Sequence, residues 1–193
     1  MERFYLETPT MDRKKDALEY INEFYEYKSS INGVGALHKY MDNYEGWLDK
    51  LYIEENSEVT ERMVPALTYF LVRESDHKIV GMINIRLALN ENLRKLGGHI
   101  GYSIRPTERN KGYNKINLYL GLKICDEHGI KEAFLDADLD NPASWRTMEA
   151  LGGKRVKEYF NEQTQTIIVD YIIDVKNALE KYKEFYDQQP LRK

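Results

Sequence analysis

The apolar positions of this chain change rhythm several times, and each change predicts an element. Residues 3–7 alternate like a short edge strand, which Thr8-Pro9-Thr10 ends. Across residues 12–28, Ala17, Leu18, Ile21, Phe24 and Tyr25 recur at spacings of three and four, which predicts an amphipathic helix. A loop with two glycines, residues 29–35, separates it from a second helix over 44–53 with Trp47, Leu48 and Leu51 on its buried stripe. Residues 56–62 are polar and read as a surface loop. From Pro65 the pattern becomes continuous: Leu67 to Val72 resembles a strand buried on both faces. A turn at 74–78 and a second strand over 79–87 complete a hairpin.

A polar link over 90–98 leads to a strand at 99–104, stopped by Pro106, which has no N–H for a ladder. Helical periodicity over 115–128 ends at Gly129. Residues 133–139 then form a strand that a strand–helix–strand crossover places parallel to the 99–104 strand. A short helix over 144–151 ends at Gly152-Gly153, and residues 156–160 and 166–174 pair as a hairpin. The terminal helix, 175–186, carries an Ala178, Leu179, Tyr182, Phe185, Tyr186 stripe, which could cover the sheet or the second subunit of a homodimer. With 193 residues and no internal repeat, one domain is expected over 1–193. Its parts would be helices over about 12–53, a core over about 65–153, and a hairpin and helix over about 154–187.

Composition removes several function classes. A net charge of -4 argues against non-specific nucleic-acid binding, which needs basic surface to displace counterions. The lone cysteine, Cys125, excludes an intramolecular disulfide and any multi-cysteine metal site. No stretch reaches the roughly 18 apolar residues of a membrane span, and the first residues, MERFYLETPT, have no apolar signal core. The expectation is a cytoplasmic protein without a metal or a membrane partner.

Residues 97–114, GGHIGYSIRPTERNKGYN, hold the most informative chemistry. A strand, a basic glycine loop and a helix start follow one another. The first turn of a helix has unpaired N–H groups and a partial positive charge, so this order makes an anion site suited to phosphate.

The order of elements and the motif residues resemble the GNAT superfamily of acetyl-CoA-dependent N-acetyltransferases. The family's pyrophosphate loop is Gln or Arg, two variable residues, Gly, one variable residue, then Gly or Ala. Here it reads Arg109-Asn110-Lys111-Gly112-Tyr113-Asn114, departing at the last position. Asn141-Pro142-Ala143-Ser144, with Leu151-Gly152 beyond it, is similar to the family's Asn-x-x-Ala/Ser helix entry and Leu-Gly exit. The fold implied is α/β (α+β): a GNAT-like mixed, mostly antiparallel twisted sheet flanked by helices, with a parallel central strand pair.

The resemblance also implies a chemistry. Acetyl-CoA would be the cosubstrate, and its pantetheine would pair like a strand with Tyr102, Ser103 and Ile104. A backbone N–H there would polarise the thioester carbonyl. Residues 109–114 would hold the pyrophosphate, and Asn141 and Ser144 would lie beside the pantetheine. The acceptor would be a primary amine of a small molecule or peptide, which must lose a proton before attack. Two positions match places where relatives keep a general base, His99 and Asp136. His99 has the more suitable unperturbed pKa, near ~6.5. Many members have a Tyr acid seven residues after the Asn; here that position is Met148, which cannot donate a proton. Tyr102 or Tyr113 could replace it, and a non-catalytic acyl-CoA-binding protein on the same fold is the alternative.

Plainer readings stand beside these. His99 could be an ordinary strand histidine, and Arg109 and Lys111 could merely face solvent. Asp136, Asp138 and Asp140 alternate, so they share a strand face and could form an acidic rim for a cationic amine or a solvated strand end. They are no calcium loop: the sixth position is Asn141 and the twelfth Thr147, where Gly and Glu are needed.

Overall fold

The computed structural model describes residues 2–186. Residue 1 and residues 187–193, the two ends of the expected domain, lie outside the described residues. In chain order the elements are β1 (Phe4–Glu7), α1 (Lys14–Glu26), α2 (Tyr44–Glu55), β2 (Ala66–Arg73), β3 (Ile79–Arg86), α3 (Glu91–Lys95) and β4 (Ile100–Ile104). Then come α4 (Tyr113–Glu127), β5 (Glu132–Asp138), α5 (Pro142–Ala150), β6 (Lys154–Asn161), β7 (Thr166–Asp174) and α6 (Val175–Tyr186).

The strands form two antiparallel sheets, ordered β1-β2-β3-β4 and β5-β7-β6. Residue alternation in the first sheet divides the core between its faces. Phe4, Leu6, Tyr69, Leu71, Ile83 and Ile85 join the cluster that α4 and the second sheet complete. Tyr5, Phe70, Val72, Ile79 and Met82 face the opposite way, toward Tyr20, Ile21 and Phe24 of α1 and Trp47 of α2. Helices therefore cover both faces, which is why β2 and β3 are buried at seven of their eight positions. Most of the α6 stripe packs inward: Val175 and Ala178 are buried, and Leu179, Tyr182 and Tyr186 rest on the same core as α4, whereas Phe185 is exposed. Among the described residues no helix is long and apolar enough to cross a membrane.

The mixed, mostly antiparallel architecture matches the expectation, with a difference at the central pair. No ladder joins β4 to β5. They meet only at one end, where the His99 N–H donates to the Phe134 carbonyl at 2.7 Å. The residues between the first hairpin and β4 also fold further than expected. Asn90 caps α3 by accepting the Leu93 N–H at 3.0 Å.

Candidate active site

Hydrogen-bond parity defines the opening between the sheets. Arg105 N donates to Val80 O and Arg86 N to His99 O, so the odd residues of β4 bond to β3. Ile100, Tyr102 and Ile104 consequently turn their N–H and C=O groups to the other edge. On β5, Leu139 N donates to Ile167 O and Val175 N to Lys131 O, so its odd residues bond to β7 and its even residues face β4. Phe134 uses its outward groups on His99. Beyond that contact the two edges part, leaving a slot lined by unladdered peptide groups of β4 that an extended ligand can join as an added strand.

His99 closes the narrow end of this slot. Its Nδ1 accepts the Phe134 N–H at 3.0 Å, so the imidazole stands in for a ladder carbonyl. The lone pair that a general base would use is engaged there, and the proton of the neutral ring resides on Nε2. Burial, with Arg94 and Arg86 nearby, pulls its pKa down to about 4. Asp136 accepts the Gly97 N–H. Burial pushes its pKa up, while that N–H and Arg86 act in the other direction. The Gly97-Gly98 turn is also held by Arg86, whose Nη1 donates to the Gly97 and Gly98 carbonyls at 2.8 and 3.1 Å. Gly98 has φ +55 and lies so close to β5 that a Cβ would overlap the Phe134 carbonyl. Thus His99 and Asp136, read from sequence as bases, both hold backbone that joins the sheets.

At the wide end, Gly112 caps α4 in the left-handed region, φ +81, and nothing lies within 4 Å of where its Cβ would stand. Asn110, at φ +62, takes the same unusual conformation. The expected phosphate cations point elsewhere. Arg109 donates from Nε to Ile104 O at 3.2 Å and from Nη2 to Ser29 Oγ at 2.8 Å, over the Phe24 ring. Lys111 pairs with Glu108 at 2.8 Å, beside Arg73 at 2.8 Å and Lys78 at 3.0 Å. Burial would raise the Glu108 pKa, but these cations outweigh it and hold it at about 2. What remains for an anion is the backbone of the loop and the first turn of α4. Asn114, the departure from the motif, turns its side chain away and donates to Thr147 Oγ1 at 3.3 Å. The Tyr113 ring packs on Phe4, with centroids 4.5 Å apart.

Asn141 caps α5 by accepting the Ser144 N–H at 3.3 Å. The Tyr102 hydroxyl reaches the same turn, donating to Ser144 O at 3.2 Å and lying 3.1 Å from Ser144 Oγ. Burial drives its pKa up. Ser103 faces the other side of the sheet, 3.0 Å from the Tyr20 hydroxyl. Met148 is 1% exposed and belongs to the core. The acidic face is partly consumed: Asp138 accepts the Thr166 hydroxyl at 2.7 Å, Asp136 accepts Gly97, and Asp140 is exposed.

No motif in the sequence marks a second concavity. A cavity of about 650 Å³ lies between residues 31–39, α2, residues 61–66, β3 and α3. His38 and Arg86 line it. Burial, with Lys39, lowers the His38 pKa, and its Nδ1 is buried with no hydrogen-bond partner. The single signal available in the sequence was the Gly33 and Gly35 pair. Gly33, φ +66, lets its loop lie on β4, where a Cβ would overlap the Gly101 and Tyr102 backbone.

The acetyltransferase (GNAT) family model matches residues 34–152, more than half of the chain. The chain belongs to that family and is an N-acetyltransferase. No curated protein matches it in sequence. Its fold is similar to that of a ribosomal-protein-S5-alanine acetyltransferase from Vibrio fischeri, with a TM-score of 0.68 at 14% identity over 90% of this chain and 94% of that one. It is also similar to a chimera of spermidine N-acetyltransferase from Vibrio cholerae and hSSAT, with a TM-score of 0.63 at 13% identity over 92% and 99% of the two chains. A GnaT-family acetyltransferase from Bordetella pertussis gives a TM-score of 0.63 at 13% identity over 87% and 93%.

Proposed function

We propose that acetyl-CoA lies in the slot between β4 and β5 and that its acetyl group passes directly to an amine seated in the cavity beneath residues 31–39. The free edge of β4 carries this reading. The pantetheine amides would pair with Tyr102 and Ile104, and an outward N–H of β4 would donate to the thioester oxygen as charge develops on it. The pyrophosphate would sit on the backbone of residues 109–114 and the first turn of α4, where Gly112 leaves room. Asn141, Ser144 and the Tyr102 hydroxyl would flank the pantetheine from the α5 side.

In this proposal His99 and Asp136 are positioning residues that fix the narrow end of the slot. The proton of the ammonium passes instead to His38, the cavity histidine whose pKa burial lowers, which favours the neutral imidazole. Nitrogen then attacks the thioester carbon, the C–S bond breaks, the new amide nitrogen gives its extra proton to solvent, and the thiolate takes a proton from solvent or from the Tyr102 hydroxyl. Cys125 is buried and free, in keeping with a cytoplasmic enzyme.

The test is release of coenzyme A thiol across a panel of amines, with acetyl-CoA first shown to raise the melting temperature. Thiol release that depends on the amine supports the proposal. Stabilisation by acetyl-CoA with no amine-dependent release contradicts direct transfer, and no stabilisation at all contradicts the slot.

A further inference from the structure

We propose that the acceptor is an amine bearing a carboxylate, a free amino acid or a short peptide with a free C-terminus, and that Arg86 reads that carboxylate. The inference rests on the proposed transfer reaction and names its substrate class.

The cavity floor meets β4 where the thioester would lie. Asn84, a lining residue, stands opposite Gly101 in the β3–β4 register. Gly33, also lining, rests on the Gly101 and Tyr102 backbone, and Arg86 Nη2 is 3.9 Å from where a Cβ of Gly101 would be. An amine placed to attack at β4 therefore has the Arg86 guanidinium within a few bonds of it.

That guanidinium is short of negative charge. Its Nη1 is spent on two neutral carbonyls, Gly97 and Gly98. Among the described residues no carboxylate forms an ion pair with it; Asp136 and Glu54 act on it only at longer range. A cation removed from water without a paired anion is costly, and a planar guanidinium fork matches a carboxylate. The rest of the lining has the same bias. Lys39, Lys50, Arg62 and Arg86 face Glu54 and Glu61, and Lys50 and Glu54 neutralise each other at 2.6 Å. The surplus is positive. A polyamine would meet like charge here, whereas an amino acid would place its carboxylate on Arg86 and its amine toward β4. A volume of about 650 Å³ accommodates a molecule of amino-acid to dipeptide size.

The experiment compares dipeptides with a free carboxylate, the same dipeptides as C-terminal amides, and spermidine, using thiol release from acetyl-CoA. The free-carboxylate forms should have kcat/KM higher by roughly tenfold or more, mostly through KM, as expected for one charge-assisted contact. Arg86→Met should abolish the preference while acetyl-CoA still raises the melting temperature, which shows that the 97–98 turn has survived. Lys39→Glu with Arg62→Glu, both on exposed side chains, should reduce the preference severalfold and leave the KM for acetyl-CoA unchanged. Amides or spermidine used as well as the free carboxylates would overturn the inference. So would the absence of turnover for every free-carboxylate amine by protein that binds acetyl-CoA. If acetyl-CoA itself fails to bind, the proposed reaction falls, and that failure is read before any acceptor is added.

Discussion

Along β4 and at the start of α4, the groups that face the opening are backbone N–H and C=O, with the Ile104 carbonyl already taken by Arg109, whereas the cavity beneath residues 31–39 is lined by charged side chains. The two halves meet at Gly101 and Tyr102 and obey different rules. In the half proposed for the cofactor, charged side chains that could grip a phosphate are anchored within the protein: Arg109 on Ile104 O, Lys111 on Glu108. They hold the loop in shape, and in the proposed mode the backbone is left to the ligand. In the half proposed for the acceptor, Arg86 bonds only neutral carbonyls with no ion pair among the described residues, and the buried Nδ1 of His38 has no hydrogen-bond partner. A shared cosubstrate can be met by backbone geometry, and an individual acceptor must be met by side chains.

The largest expected effect comes from breaking the frame both halves share. Gly98→Val would force a branched side chain into the Phe134 backbone at φ +55. It should cost on the order of 3 kcal/mol and lower the melting temperature by about 6–12 °C in thermal unfolding. A smaller loss would mean that the junction yields. Next is His38→Ala, aimed at the acceptor half alone. It should reduce kcat by roughly a hundredfold and leave acetyl-CoA affinity intact. The wild-type pH–rate profile should fall as pH drops through the lowered pKa of His38, because only the neutral imidazole accepts a proton. A variant that keeps this acidic limb would dismiss His38 as the base.

His99→Leu probes the frame more gently. It strands the Phe134 N–H, at a cost of about 1–3 kcal/mol. The pH dependence has a definite sign. The folded pKa of His99, about 4, lies below the ordinary value of 6.5, so the unfolded chain binds the extra proton between them. The histidine contribution is complete above pH 6.5 and is lost as pH falls toward 4. The stability gap between wild type and His99→Leu should therefore narrow from pH 7 to pH 5, as measured by denaturant unfolding. Smallest of all is Lys111→Ala. Its ammonium is held by Glu108, so acetyl-CoA affinity should change by less than about threefold. A loss of tenfold or more in a binding titration would return the cofactor half to side chains.

The same division explains what could be read from the residues alone. Turns, caps and breaks are local events, and Pro106, Gly112, Asn141 and Gly152-Gly153 announced the half proposed for the cofactor. The helix–strand order came from apolar periodicity for the same reason. The exchange of Phe134 amide groups with His99 was not legible, because it is made across 35 residues and turns on which way one imidazole points. The bond between Asp136 and Gly97 was equally hidden: the match of Asp136 to a base position is a fact of spacing, and that bond is a fact of the fold. The cavity has no motif because residues 31–39, 50–54, 61–66, 84–86 and 90–93 meet only in space. Asn114 shows the same. The side chain that departs from the motif reaches Thr147, 33 residues away, a partner that only the fold brings near.

The central claim is that backbone at the start of α4 holds the cosubstrate, and calorimetric titration of acetyl-CoA into wild type and Gly112→Leu tests it most directly. The leucine enters open space, so the folded protein should persist, with strain of about 1–3 kcal/mol from the left-handed backbone. Measurable binding to wild type is expected, with a Kd for the variant weaker by about a hundredfold, close to 3 kcal/mol of binding free energy. Equal affinity in the two proteins would contradict it.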